Sequence, residues 1–151
     1  MIEENMNFQE LYIRLDALCK DCFNSQEGVS EYIRQMEKDM FEGERIVLDW
    51  ENIYRELKHI RWKRNQLAHE VGALNSNIIE EDEILFVSNF YNKIINTEDP
   101  LSELRKHRQS KNQAATTKVK VSNSANTQLI ITKKEPNVLS KLANKIKNFF
   151  K

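Results

Sequence analysis

The chain has 151 residues, 30% of them charged and 40% hydrophobic, with three Gly and two Pro; that is enough length for a core, with few turn signals, which favours one all-α domain plus a tail. Its longest aliphatic or aromatic run, Ile84-Leu85-Phe86-Val87, excludes a bilayer-spanning helix, and the acidic opening MIEENMNFQE excludes a secretory signal, so a cytoplasmic protein is expected. The net charge of zero hides a division: residues 1–104 hold 11 Lys/Arg against 22 Asp/Glu, and residues 105–151 hold 12 against 1, so the tail should meet anionic partners or fold back on the acidic body.

A first helix is predicted over residues 7–23, opened by Asn7 and Glu10 in capping-box spacing, with Phe8, Leu11, Leu15, Leu18, Cys19 and Cys22 on its apolar face. The C-x-x-C pair lies inside that face and has no second pair to complete a zinc site, so both cysteines read as buried thiols, and neither a metal nor a cofactor is expected. Gly28 separates a second helix, 29–41, with Val29, Ile33, Met36 and Met40 aligned, and Glu42-Gly43-Glu44 reads as a turn. The third helix, 45–71, carries Trp50, Ile53, Tyr54, Leu57, Ile60, Leu67, Ala68 and Val71 at spacings of three and four, and Gly72 stops it. Glu80, Glu81, Asp82 and Glu83 suit the first turn of a fourth helix, whose face is Ile84, Val87, Tyr91, Ile94 and Ile95. Asp99 and Pro100 then start a short fifth helix carrying Leu101 and Leu104. The expected architecture is an antiparallel four- to five-helix bundle over residues 1–106.

Residues 107–137 have a polar, basic linker composition, within which KVKV (118–121) and LIIT (129–132) offer a weak hairpin pairing. Residues 138–151 regain helical periodicity through Val138, Leu139, Leu142, Ala143, Ile146, Phe149 and Phe150, flanked by lysines. This basic amphipathic helix has two readings: completion of the bundle or dimer core, which is favoured, or docking on a membrane surface.

Arg64 interrupts the apolar stripe of the third helix, a costly place for a charge, and so requires an anion: either an ion pair with Glu37 or Asp39, or a ligand. At about 100° per residue, Arg61, Asn65 and His69 share one edge of that helix, and the long Arg64 side chain can reach the same cleft. A guanidinium, an amide and an imidazole form a workable phosphodiester site, in which the imidazole moves a proton, the guanidinium stabilises phosphoryl charge and the amide orients a hydroxyl. Arg55, Lys58, His59, Arg61 and Lys63 are the candidate phosphate-holding side chains, His59 being solvated or RNA-facing, and His107 opens the basic linker.

The segment ELKHIRWKRNQLAHE, with Arg64, Asn65 and His69 in order, resembles the R-x₄-H segment of the HEPN superfamily, and FYNKIINTEDPLSELRK (90–106) resembles the closing helices of HEPN-type proteins from Gram-positive bacteria. The likeness covers about residues 45–106. It implies metal-independent RNA cleavage, in which a ribose 2′-OH attacks the adjacent phosphate, and a homodimer that sets two motifs face to face, with Arg64 and His69 catalytic and Asn65 orienting. A toxin or defence effector restrained by an antitoxin or other regulatory protein is the implied role. HEPN toxins controlled by tyrosine adenylylation carry Tyr two residues after the His, where this chain has Val71, so that control is not expected. The alternative is a non-catalytic RNA- or protein-binding adaptor whose C-terminal helix docks on a partner.

Overall fold

The computed structural model describes residues 3–120, and within them every regular element is helical. The elements are α1 (Glu3–Phe23), α2 (Val29–Lys38), α3 (Met40–Ile46), α4 (Trp50–His69), a single 3-10 turn at Ala73–Asn75, α5 (Glu81–Ile95) and α6 (Pro100–Lys120). The predicted all-α bundle is the fold that forms. Two compact units divide the chain, residues 1–104 and 105–151, the boundary falling inside α6.

In the first unit α1 packs against α5 and α2, while α4 packs on α2 and α3 and also meets α1 and α5. Phe8, Tyr12, Leu15 and Cys19 form the buried stripe of α1 at helical spacing, with Tyr12 in the place predicted for Leu11, which is only half-buried. The helix begins before the predicted Asn7 cap, at Glu3, where Glu3 and Glu4 meet the positive end of the helix dipole. Asn5 is fully buried and ties this first turn to the loop after α4, donating to the carbonyls of Ala73 (3.3 Å) and Ser76 (2.7 Å).

The α1–α2 turn depends on Gly28, whose φ is +54° and whose missing Cβ would lie 2.0 Å from Asp16 Oδ1. That carboxylate accepts the Val29 backbone N–H (2.9 Å) and so secures the start of α2. Val29, Tyr32, Ile33 and Met36 are the buried face of α2.

Gly43 does not mark a turn. It lies buried in α3, where its missing Cβ would stand 2.3 Å from Trp50 Cε2, so a bare backbone lets the indole pack against the helix. The predicted helix 45–71 is accordingly two elements: α3 ends at Ile46, Asp49 takes φ +60°, and α4 begins at Trp50. Trp50, Leu57, Ile60 and Leu67 are its buried residues, whereas Ala68 and Val71 are exposed, because the last turn leaves the core. In α5 the buried face is Glu83, Val87, Phe90 and Ile94, with Phe90 replacing the predicted Tyr91 and making an edge-on contact with Tyr32.

A buried polar link joins α2 to the start of α6. Tyr32 Oη donates to Asp99 (2.6 Å) and accepts the Leu101 N–H (3.3 Å), and Asp99 also accepts the Ser102 N–H (3.3 Å). In the second unit α6 continues to Lys120 through residues predicted as linker and as the hairpin strand KVKV. Residues 105–120 contain neither Gly nor Pro and several good helix formers, and Ser110 and Thr116 bond back to the carbonyls four residues earlier. The LIIT segment and the predicted helix 138–151 lie outside the described residues. Among the described residues no helix is long and apolar enough to cross a membrane.

Candidate functional site

The predicted site residues all lie on α4, and the helix distributes them over three faces. Arg61, Arg64 and Asn65 line one groove of about 380 Å³, together with Tyr12, Ile13, Asp16, Ala17 and Lys20 of α1, Glu27 of the connecting turn and Ser30 of α2. Positions 61, 64 and 65 are neighbours on a helix surface, which is why these three converge. Arg61 donates weakly to Ser30 Oγ (3.4 Å), and Arg64 donates to Asn65 Oδ1 (3.3 Å). The groove carboxylates are already engaged, Asp16 with Lys20 (2.9 Å) and the Val29 N–H, and Glu27 with Arg34.

Arg64 is exposed, not held in the apolar stripe as predicted. The buried face of α4 narrows to Leu67 at this end, so position 64 passes to the rim of the groove. The alternative of an ion pair with Glu37 or Asp39 does not form among the described residues, and Glu37 accepts the Tyr54 hydroxyl (2.7 Å). His69 is the last residue of α4, exposed, and not among the residues lining the groove. It lies five positions after Arg64, about 7.5 Å of helical rise and a rotation of about 140°.

The second face turns toward α5 and is structural. Glu83, 7% exposed, receives the Glu80 N–H (2.8 Å), pairs with His59 Nε2 (2.5 Å) and lies 3.2 Å from Lys63 Nζ. Lys63 also donates to the Ile78 carbonyl (2.5 Å), so its charge is turned inward and does not present to a phosphate. His59 is likewise tied to the chain and not simply solvated, its ring stacking with Trp62. Burial pushes the Glu83 carboxyl up, but the Glu80 N–H, His59 and Lys63 outweigh it and hold the group below the usual glutamate range.

On the remaining face Arg55 pairs with Glu51, and Lys58 sits over the Tyr54 ring at 5.1 Å while donating to its hydroxyl (3.4 Å). Of the five predicted phosphate-holding side chains, Arg61 alone reaches the groove.

Tyr12 and Ser30 were not among the predicted site residues. Tyr12 was legible in principle, since it continues Phe8 at i+4 in the α1 stripe, but nothing local marks Ser30. Burial raises the Tyr12 phenol well above its ordinary value, Asp16 adding to the shift while Arg64 and Arg61 oppose it. Cys19 is fully buried and Cys22 half-buried, with no disulfide between them, and burial likewise raises Cys19.

No curated protein and no solved structure matches the chain. A family profile does, over residues 6–149, which is nearly the whole sequence. The chain belongs to that family, DUF6548, a family of unknown function.

Proposed function

We propose that this protein is a metal-independent endoribonuclease of HEPN type, acting at a site shared by two copies of the chain. The observation that carries the reading is the state of the motif: Arg64, Asn65 and His69 are all exposed at the end of α4, and among the described residues neither Arg64 nor His69 is paired with a carboxylate. Around them stand exposed apolar residues, Trp62 (53%) and Val71 (106%), which a second copy of the chain can cover.

In this reading His69 removes the proton from a ribose 2′-OH as that oxygen attacks the adjacent phosphorus. The partner's His69 gives a proton to the departing 5′-oxygen, because one imidazole cannot serve both ends of the reaction at once. Arg64 stabilises charge on the non-bridging phosphoryl oxygens. Asn65, whose Oδ1 accepts from Arg64, fixes the guanidinium and keeps its amide N–H₂ for the substrate. The products are a 2′,3′-cyclic phosphate and a 5′-hydroxyl.

A second reading, a non-catalytic adaptor, is favoured by one finding. Arg55, Lys58, His59 and Lys63 are engaged within the chain and give the acidic body little cationic surface for RNA. In that reading the basic C-terminal segment docks on a protein partner or a membrane surface. Incubating the full-length protein with single-stranded and structured RNA in EDTA separates the two. Cleavage lost in both Arg64→Ala and His69→Ala supports the nuclease, and RNA left intact by the wild type at micromolar protein supports the adaptor.

A further inference from the structure

The groove between α1, α2 and α4 holds an arrangement that proton transfer by His69 does not use. Tyr12 lines it, 5% exposed as a residue, and among the described residues its hydroxyl has no hydrogen-bond partner. The ring is packed away while the hydroxyl opens into the groove, where it is placed to donate to a ligand. Arg61 and Arg64, three positions apart on α4, line the same groove. Ser30 Oγ accepts from Arg61 and so retains its own proton to donate, and the Asn65 amide N–H₂ is oriented by the bond its oxygen makes to Arg64. Both groove carboxylates already have cation partners, Asp16 with Lys20 and Glu27 with Arg34, which Glu31 shares, while neither Arg61 nor Arg64 is paired with a carboxylate among the described residues.

We propose that this groove is a phosphoryl-anion site, in which Arg61 and Arg64 hold the charge of a nucleotide phosphate and the Tyr12 and Ser30 hydroxyls complete its donor shell. Several donors lining one groove suit a tetrahedral anion, and guanidinium groups match the oxygens of phosphate. The cavity, about 380 Å³, accommodates a phosphate together with its sugar. The inference extends the reading of Arg61 as a phosphate-holding side chain and does not depend on His69 moving a proton. The phosphate is supplied either by a free mononucleotide or by the backbone of an RNA strand seated next to His69.

Calorimetric titration of the full-length protein with adenosine 5′-monophosphate, adenosine and a short single-stranded RNA tests it. The expected result is binding of a phosphorylated probe that adenosine does not reproduce, weakened about tenfold by Arg61→Gln and by Tyr12→Phe, the size expected for losing one charge-assisted or buried hydrogen bond. Tyr12→Phe keeps the packed ring, so it reports on the hydroxyl even if Arg61→Gln perturbs the fold. Binding of the monophosphate identifies a mononucleotide site, and binding of the RNA alone identifies a backbone site. Failure of both phosphorylated probes to bind, or binding unchanged in both variants, overturns the proposal. Phosphate binding intact in a protein that cleaves no RNA removes the nuclease reading and leaves this one standing.

Discussion

Among the four acidic residues at the start of α5, Glu83 alone collects a backbone N–H, an imidazole and an ammonium group. Its carboxyl is held below the usual range, so its stabilising effect is fully present above the ordinary glutamate value, near 4.3, and is lost as pH falls through the lower folded value. Glu83→Gln should therefore cost roughly 1–3 kcal/mol at neutral pH and flatten the acid limb of the stability curve. Chemical denaturation followed between pH 3 and 7 measures both effects. His59→Ala should cost less, below about 1 kcal/mol, since its side chain is 44% exposed. By sequence alone Glu83 stands with Glu80, Glu81 and Asp82 as an equivalent partner of the helix dipole. A run of like charges carries no signal for which member points inward; that depends on where α4 brings His59 and Lys63, a tertiary fact. The same holds along the rest of α4: helical spacing groups Arg61, Asn65 and His69 on one edge with Arg64 reaching over, whereas the groove takes Arg61, Arg64 and Asn65 and leaves His69 beyond it, because spacing cannot show that the core narrows before position 64.

Helix existence was readable along the body because the apolar residues recur at three and four and turn residues are scarce. Boundaries failed where glycine has two uses. Gly28 is a turn residue with positive φ, but Gly43 is a helical residue whose bareness admits the Trp50 ring, and a sequence shows the same letter in both places. Gly43→Ala should therefore destabilise the protein by about 1–3 kcal/mol through overpacking, although alanine is the better helix former. Thermal melting of that variant checks the sign. The Asp99-Pro100 start of α6 was legible as a cap followed by proline, while the Tyr32 hydroxyl that reaches it from α2 was not, since 67 residues separate the pair. Tyr32→Phe should remove the acceptor that the Leu101 N–H has among the described residues and cost roughly 1–3 kcal/mol, again by melting. The extension of α6 to Lys120 shows the opposite error: a polar composition was read as linker where helix formers without a Gly or Pro continue a helix already begun.

Residues 1–104 are acidic overall, with twice as many Asp and Glu as Lys and Arg, and at this scale the placement of the few unmatched cations decides what the protein can bind. Arg61 and Arg64 sit together at one groove, and His69 stands beyond it at the end of the same helix. The paired site requires a dimer formed through this end of α4. Sedimentation should show a two-chain species at micromolar concentration, and a charge placed at the exposed edge, Val71→Glu, should shift it toward monomer. A strictly monomeric wild type would count against a shared site. The central claim, RNA cleavage by 2′-OH attack with His69 carrying the proton, is tested most directly by the chemistry of the ends it leaves. RNA incubated with the wild-type protein in EDTA should yield fragments ending in 2′,3′-cyclic phosphate with 5′-hydroxyl partners, and His69→Ala should yield none. Fragments that carry 3′-hydroxyl ends, or that form equally with His69→Ala, would contradict it.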